Sequence, residues 1–224
     1  MNFAIKNEAV YAFHTRVSGL FIGIFLALAL TVALSGCALP DKPSRAATYD
    51  FGPGALASVP ANRMAAWPAL ALADVEAPAA LDGSAVLYRL AYADAQQLRP
   101  YAQARWSMAP AQLLRQRLRE QLGQRRAVLN PGEGATAGDS PWLLRVELEE
   151  FSQLFESTTS SSGLVRLRAS VALNSPQGEK LLGQRSFVVQ RPAPSPDASG
   201  GVRALTAATD ATIEEIEQWL QQMR

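Results

Sequence analysis

The stretch LVRLRASVAL, residues 164–173, decides the fold of this chain. Apolar side chains at every second position, from Val165 to Leu173, alternate with Arg166, Arg168 and Ser170. Successive side chains of a strand point to opposite faces of its sheet, so a period of two predicts a strand with one buried face. This alternation is the cleanest in the chain.

Similar strands flank this stretch on both sides. Residues 143–155 open with the same alternation, but Phe151 falls on the opposite parity, which predicts a bulge near Glu149 and Glu150 or a change of face there. The turn residues 174–178 then lead into a third apolar segment, 181–189. The connections are too short for a parallel crossover, so the three strands are expected to form an antiparallel meander.

Two amphipathic helices accompany the strands. In residues 110–122 leucines recur every four positions, with Pro110 in the first turn and Gly123 just past the end, as is usual for a helix. A second helix starts at about Ser199 and carries an apolar stripe from Val202 to Leu220. Each helix has a single apolar stripe and must bury it against the sheet.

Two further strands, near Leu70 to Val75 and at residues 85–90, precede the first helix. The predicted fold is therefore α+β: a mixed, largely antiparallel sheet of five to six strands, with two helices packed on one face. This single domain is expected to span residues 67–224.

The amino terminus has the layout of a secretory signal. Lys6 and Arg16 precede an apolar run from Leu20 to Leu34, whose 15 residues are short for a helix that crosses a bilayer. The run ends in Leu-Ser-Gly-Cys at residues 34–37, which resembles a bacterial lipoprotein signal. That resemblance implies a diacylglyceryl thioether on Cys37, cleavage before it and acylation of the new amino terminus. The alternative is an uncleaved anchor helix.

The predicted division of the chain follows from this signal. Residues 1–36 are a signal peptide that is removed, and residues 37–66 are the lipidated cysteine and a periplasmic tether rich in proline and alanine. Within the tether, Tyr49-Asp50-Phe51-Gly52 is less typical, because two aromatic residues flank an acid before a turn. An alternative is that this part docks on the domain as a short edge strand.

Composition argues against most enzyme classes. The only histidine, His14, lies in the predicted signal, and the only cysteine is Cys37, so histidine-based nucleophile activation and metal sites built on imidazole or thiolate are excluded from the mature chain. Of 21 basic and 20 acidic side chains, Lys6, Arg16 and Glu8 would leave with the signal, which gives equal numbers of each sign. A neutral protein is not expected to bind nucleic acid electrostatically.

Several motifs in order resemble one family, the ABC-type transport auxiliary lipoproteins, the PqiC-like component of MCE-type lipid transport systems. The first is the Leu-Ser-Gly-Cys sequence at residues 34–37, the lipobox. The others, in chain order, are Tyr49-Asp50-Phe51-Gly52, Leu81-Asp82-Gly83 before Val86-Leu87-Tyr88-Arg89, Arg105-Trp106 before Pro110 and its leucine-rich helix, Phe187, Val202-Arg203-Ala204-Leu205, and Trp219.

The resemblance implies an outer-membrane lipoprotein on the periplasmic side. Ala38 after the lipidated cysteine agrees with outer-membrane delivery, since aspartate there is the usual inner-membrane retention signal in enteric bacteria. The implied partners are an MCE-domain protein with its ABC permease and ATPase, which move phospholipid or other hydrophobic molecules. The subunit itself would be noncatalytic, with no cofactor beyond the acyl groups on Cys37. Contact of the subunit with lipid is a further candidate interaction.

Tyr88, Arg89, Arg105 and Trp106 are the candidate partner-binding residues, because aromatic and arginine side chains are enriched at interface hot spots. The structural alternative is that Trp106 belongs to the core and Arg89 pairs with an acid. A further cluster of arginines lies in and just after the first helix and is expected to form a solvated face, or else to meet an acidic partner or lipid phosphate: Arg115, Arg117, Arg119, Arg125 and Arg126.

Two other functions compete with the auxiliary role. One is a structural envelope-assembly lipoprotein that partners an outer-membrane β-barrel. The other is a carboxylate-based hydrolase that would use Glu147, Glu149 and Glu150.

Overall fold

The computed structural model describes residues 45–54, 67–134, 141–175 and 178–223. The predicted signal peptide, Cys37 and most of the predicted tether lie outside these ranges. The described chain forms two α-helices, α1 (Pro110–Gly123) and α2 (Ala198–Gln222), and one sheet of eight strands: β1 (Ala47–Tyr49), β2 (Trp67–Glu76), β3 (Ala85–Leu90), β4 (Asp94–Trp106), β5 (Arg126–Leu129), β6 (Trp142–Phe155), β7 (Ser161–Ser175) and β8 (Gly178–Pro192).

The strand β6 holds the sheet together. One of its edges pairs with β7 along almost its whole length. Its other edge is shared, because β2 pairs in parallel with residues 142–147 and β3 pairs in parallel with residues 153–155. The order across the sheet is β1-β4-β3-β6-β2-β5, and β7 and β8 continue from β6. The α+β class and the mixed, mostly antiparallel sheet are confirmed, with eight strands rather than five or six.

The predicted meander is the antiparallel β6–β7–β8 unit. Val165, Leu167, Ala169 and Val171 are buried, as the alternation predicts. The register of β6 against β7 shifts between Leu148 and Glu150, so the predicted bulge is present. Because of the bulge, Leu148 before it and Phe151 after it are both buried and belong to one core cluster.

The strands that sequence patterns did not identify are β4 and β5. Most side chains of β4 before Ala104 are exposed or half-buried, so no apolar period marks it, and its pairing with β3 contains two register shifts. The four-residue β5 begins at Arg126, which is buried although charged, and it pairs only with β2. Short or solvated strands carry little hydrophobic pattern.

Both helices contribute to the single core cluster formed with the sheet. Leu114, Leu118 and Leu122 of α1 are buried, as their spacing predicts. The start of α2 approaches the sheet very closely at Gly163 of β7: a Cβ atom there would lie 2.5 Å from the backbone carbon of Ala204. Where described, no helix is both long and apolar enough to span a bilayer.

The amino-terminal residues 45–54 belong to the domain. β1 pairs in parallel with the end of β4, and the Phe51 ring packs 5.6 Å from Trp106 and 6.0 Å from Phe151. The structured unit therefore begins at Arg45 and not at Trp67. The assignment of these residues to the tether is corrected, because Phe51 is buried and the backbone of β1 is paired with β4. The alternative stated above, docking as a short edge strand, describes what the structure shows.

Candidate partner-binding site

Tyr88 lies on β3 within a small aromatic group. Its ring centroid is 4.6 Å from that of Tyr101 and 5.9 Å from that of Phe155. The Tyr101 hydroxyl donates a hydrogen bond of 2.9 Å to Oε1 of Gln153, a fully buried side chain, and Gln153 Nε2 donates to Ser161. Burial raises the pKa of Tyr101, so its hydroxyl stays protonated and keeps this bond. Tyr88 thus packs on a fixed polar group that ties β4 to β6.

Arg89 forms a two-pronged ion pair with Glu150. Its Nε and Nη2 donate to the two carboxylate oxygens at 3.1 and 2.9 Å, and Ser152 donates to the same carboxylate. Its Nη1 also donates to the backbone oxygens of Ala95 and Gln96 on β4. The side chains of Arg89 and Glu150 are 20% and 11% exposed, so part of the pair is accessible. Two-pronged geometry makes this a strong and oriented contact.

Trp106 is a core residue. It is 2% exposed and packs against Phe51 and Phe151. A side chain this deeply buried contacts no partner, so its assignment as a binding residue is corrected in favour of the structural alternative. Arg105, its neighbour, is half-buried and donates to the backbone oxygen of Tyr101 at 3.3 Å.

The structure therefore brings the candidates onto one strand pair but not onto one face. Tyr88 and Arg89 are consecutive on β3 and point to opposite sides of the sheet. Arg105 lies on β4 opposite Ala85 of β3. Tyr88, Arg89 and Arg105 keep partial exposure, and they are the residues of the predicted set from which a partner could still be contacted.

The carboxylates of the hydrolase hypothesis all have arginine partners. Glu149 lies 2.8 Å from Arg168 and 3.2 Å from Arg166, and Glu147 lies 3.5 Å from Arg168. Glu150 is held by Arg89. A neutralised pair of this kind orders a sheet face and does not resemble an acid and a base poised around a sugar bond. Among the described residues, no group of three or more potential ligands is placed to hold a metal ion.

The arginines of and after the first helix do not all lie on a solvated face: Arg125 is exposed, whereas Arg117 and Arg126 are buried. Arg117 is 4% exposed; it donates to the Phe51 backbone oxygen at 3.0 Å and lies 2.8 Å from Asp210 of α2. Arg126 is buried with its guanidinium 4.7 Å from the centre of the Trp67 ring. The sequence contained one signal of this burial: Arg117 follows Leu113 by four residues, which places it on the same face of the helix.

Arg117 is thus the residue that fastens the amino-terminal segment to both helices. Burial raises the pKa of the Asp210 carboxyl, although Arg117 and Gln121, which donates to Asp210 at 2.7 Å, oppose that shift. Beside this contact lies a cavity of about 190 Å³, lined in part by Asp50, Phe51 and Met108. It is small for a lipid chain, and two carboxylates, those of Asp50 and Glu120, line it.

Comparison with known proteins identifies relatives of this chain. The family model described as the ABC-type transport auxiliary lipoprotein component matches residues 49–217, a range that includes the last residue of β1. No curated protein matches the chain.

Two crystal structures share the fold. A DUF330 protein from Xanthomonas campestris superposes with a TM-score of 0.58 at 21% identity, over 71% of this chain and 90% of that one. A second, uncharacterised protein superposes with a TM-score of 0.54 at 15% identity, over 79% of this chain and 99% of that one. At these identities the likeness shows the fold alone.

Proposed function

Because the chain belongs to the family of ABC-type transport auxiliary lipoprotein components, we propose that it is the noncatalytic auxiliary subunit of an MCE-type ABC transporter. In this role it is acylated on Cys37 and held at the periplasmic face of the outer membrane. Its partners are the MCE-domain protein and, through it, the permease and ATPase that move phospholipid or other hydrophobic molecules.

The observation that carries this proposal is the extent of the family match, residues 49–217, behind a lipobox at residues 34–37. The match covers the sheet from the end of β1 and most of α2, so the family resemblance concerns the whole domain. The acyl chains explain how the domain is held, since several chains together give stable membrane anchoring where one alone does not.

A noncatalytic role is supported by the chemistry of the described residues. The chain has no histidine after His14, and its one cysteine is the proposed site of acylation. Glu147, Glu149 and Glu150, which would have to serve as acid and base, are each within ion-pair distance of an arginine. The chemistry of transport then belongs to the partner ATPase.

The proposed contact surface is the accessible part of the β3–β4 strand pair, with Tyr88, Arg89 and Arg105. The Arg89–Glu150 pair offers a direct test, because exchanging the two residues keeps the ion pair and reverses its direction. We expect the lipidated full chain to co-purify with the MCE-domain protein. Arg89→Glu should abolish this co-purification, and so should the exchange Arg89→Glu with Glu150→Arg. In both variants a partner that binds the guanidinium group of residue 89 meets a carboxylate instead.

The matched control is the pair Arg145–Glu179, a second two-pronged ion pair, which joins β6 to β8. Its exchange should leave co-purification unchanged. Recovery of binding by the Arg89–Glu150 exchange would assign Arg89 a purely structural role. Capture of an outer-membrane β-barrel with no MCE-domain protein would contradict the proposed function and favour the envelope-assembly alternative.

A further inference from the structure

The docking of β1 fixes how far the domain can stand from its proposed anchor. β1 begins at Ala47, so only residues 38–46 separate it from Cys37. Ten residue steps span at most about 35 Å when fully extended. The tether is therefore a short one, and Ala47 stays within that distance of an acylated Cys37.

The direction of β1 gives the side of the sheet from which the chain enters the domain. β1 runs parallel to β4, with Ala47 beside Ala104 and Tyr49 beside Trp106. A chain that enters β1 therefore comes from the side on which β4 begins, at Asp94. That side carries the turn between β3 and β4, residues 91–93.

This turn lies within reach of the membrane when the anchor is inserted. Between Ala85, which pairs with Arg105, and Leu90, which pairs with Asp94, β3 takes five strand steps. At about 3.3 Å per step, the turn lies roughly 17 Å beyond the level of β1, about half the reach of the tether.

The β3–β4 turn presents an aromatic side chain at its tip. Its residues, Ala91, Tyr92 and Ala93, are all exposed, and Tyr92 is 50% exposed. The turn is held in place, since Ala91 N donates to the Phe155 oxygen and Ala93 N donates to the Leu90 oxygen, both at 2.9 Å. Beside it, the β6–β7 turn presents the serine and threonine residues 157–160; the nearby exposed carboxylates are Glu156, which accepts hydrogen bonds from Ser162 and Gln190, and Asp94, which accepts from the Gln96 backbone nitrogen.

We propose that the β3–β4 turn, with Tyr92 at its tip, inserts into the interfacial region of the membrane to which Cys37 is anchored. Tyrosine favours this region because its ring is apolar and its hydroxyl stays hydrated. One aromatic tip binds a bilayer too weakly to act alone, but a short tether makes the contact intramolecular and raises its effective concentration. The proposal rests on the acylation of Cys37 proposed above.

The cysteine content makes the test clean. Cys37 is the only cysteine and its sulfur is occupied in the acylated protein, so a single introduced cysteine is the one thiol available to an environment-sensitive fluorophore. Ala93→Cys places the probe beside an intact Tyr92. Met108→Cys places it just after the far end of β4, at a residue of similar apolar character that is 37% exposed.

Both labelled full-length proteins are reconstituted into vesicles of phosphatidylethanolamine and phosphatidylglycerol. We expect the emission of the probe at residue 93 to shift to the blue and to resist quenching by aqueous iodide, whereas the probe at 108 stays quenched. Tyr92→Ser combined with Ala93→Cys should reduce the shift.

The outcomes separate the two proposals. Failure of the wild-type protein to float with vesicles would overturn the acylation of Cys37 and this inference with it. Flotation with an iodide-quenched probe at 93, or equal protection at 93 and 108, would overturn the membrane-contacting tip and leave the proposed function standing.

Discussion

The close approach of α2 to β7 at Gly163 gives a quantitative prediction for Gly163→Ala. A Cβ atom at this position would lie 2.5 Å from the carbon of Ala204 and the nitrogen of Leu205, and 2.9 Å from the oxygen of Ala204. These are backbone atoms, so no side chain can rotate away and the helix has to retreat by roughly 1 Å. Overpacking of this kind costs about 1–3 kcal/mol, and we place this case near 3 kcal/mol because backbone must move.

Part of this cost is offset in the unfolded chain. Replacing glycine by alanine reduces unfolded-state entropy and stabilises a protein by about 0.4–1 kcal/mol where the native backbone tolerates it. The expected net loss for Gly163→Ala is therefore about 2 kcal/mol in the free energy of unfolding. For a domain of this size that corresponds to a thermal midpoint about 4–8 °C lower.

The assay is thermal and urea unfolding of the full chain in detergent, followed by circular dichroism. Gly83→Ala is the matched control, because a Cβ at Gly83 meets nothing within 4 Å, and it should be neutral or slightly stabilising. Equal midpoints for Gly163→Ala and the wild type would refute the reasoning, since they would mean that α2 does not rest against β7 at this distance.

Three further predictions concern Arg117, the Asp197 cap of α2, and the carboxylates of the hydrolase hypothesis. Arg117→Met should lower the free energy of unfolding by about 2–3 kcal/mol, because it leaves the Phe51 oxygen and Asp210 without their buried partner. Arg115→Met is the control: its partner Asp74 is 91% exposed, so the loss in the same urea titration should be less than about 1 kcal/mol. Asp197→Ala should cost about 1 kcal/mol near neutral pH, because Asp197 accepts from the Gly200 backbone nitrogen and caps α2. That bond lowers the pKa of Asp197, so its contribution is present above the usual aspartate value of about 3.9 and is lost as the pH falls through the lowered pKa; a wild-type advantage that persisted in stronger acid would contradict the cap. Glu147→Gln with Glu149→Gln should still complement a deletion strain, and loss of complementation by a folded, normally localised variant would revive the hydrolase hypothesis.

The parts of the fold that were predictable are those in which burial imposes a period. Val165 to Val171 could be assigned to a strand, and Leu114, Leu118 and Leu122 to a helix, because each element has one face that is buried from solvent. The bulge in β6 was also predictable, since Phe151 changes parity with respect to Leu148. β4 was not predictable, because its first ten side chains are exposed or half-buried and carry no period.

The candidate site was harder to predict because residue type does not reveal which arginine is internal. Arg117 and Arg126 are both buried, although clusters of charge usually mark a solvated face. What decides their positions is long-range: Arg117 meets Phe51 and Asp210, which are 66 and 93 residues away in sequence. Trp106 could be assigned either to a partner surface or to the core until the positions of Phe51 and Phe151 were known.

The sharing of one edge of β6 by β2 and β3 has a consequence for biosynthesis. Within the described part of the chain, only β6 joins the group β1, β4 and β3 to the group β2 and β5 by strand pairing, so before residues 142–155 have been made the two groups have no pairing with one another. Each group then has an unpaired edge, and such edges are the places where extended chains associate wrongly. Completion of the domain therefore waits for a strand encoded in the second half of the chain, and a nascent chain that stops short of β6 is expected to need a chaperone.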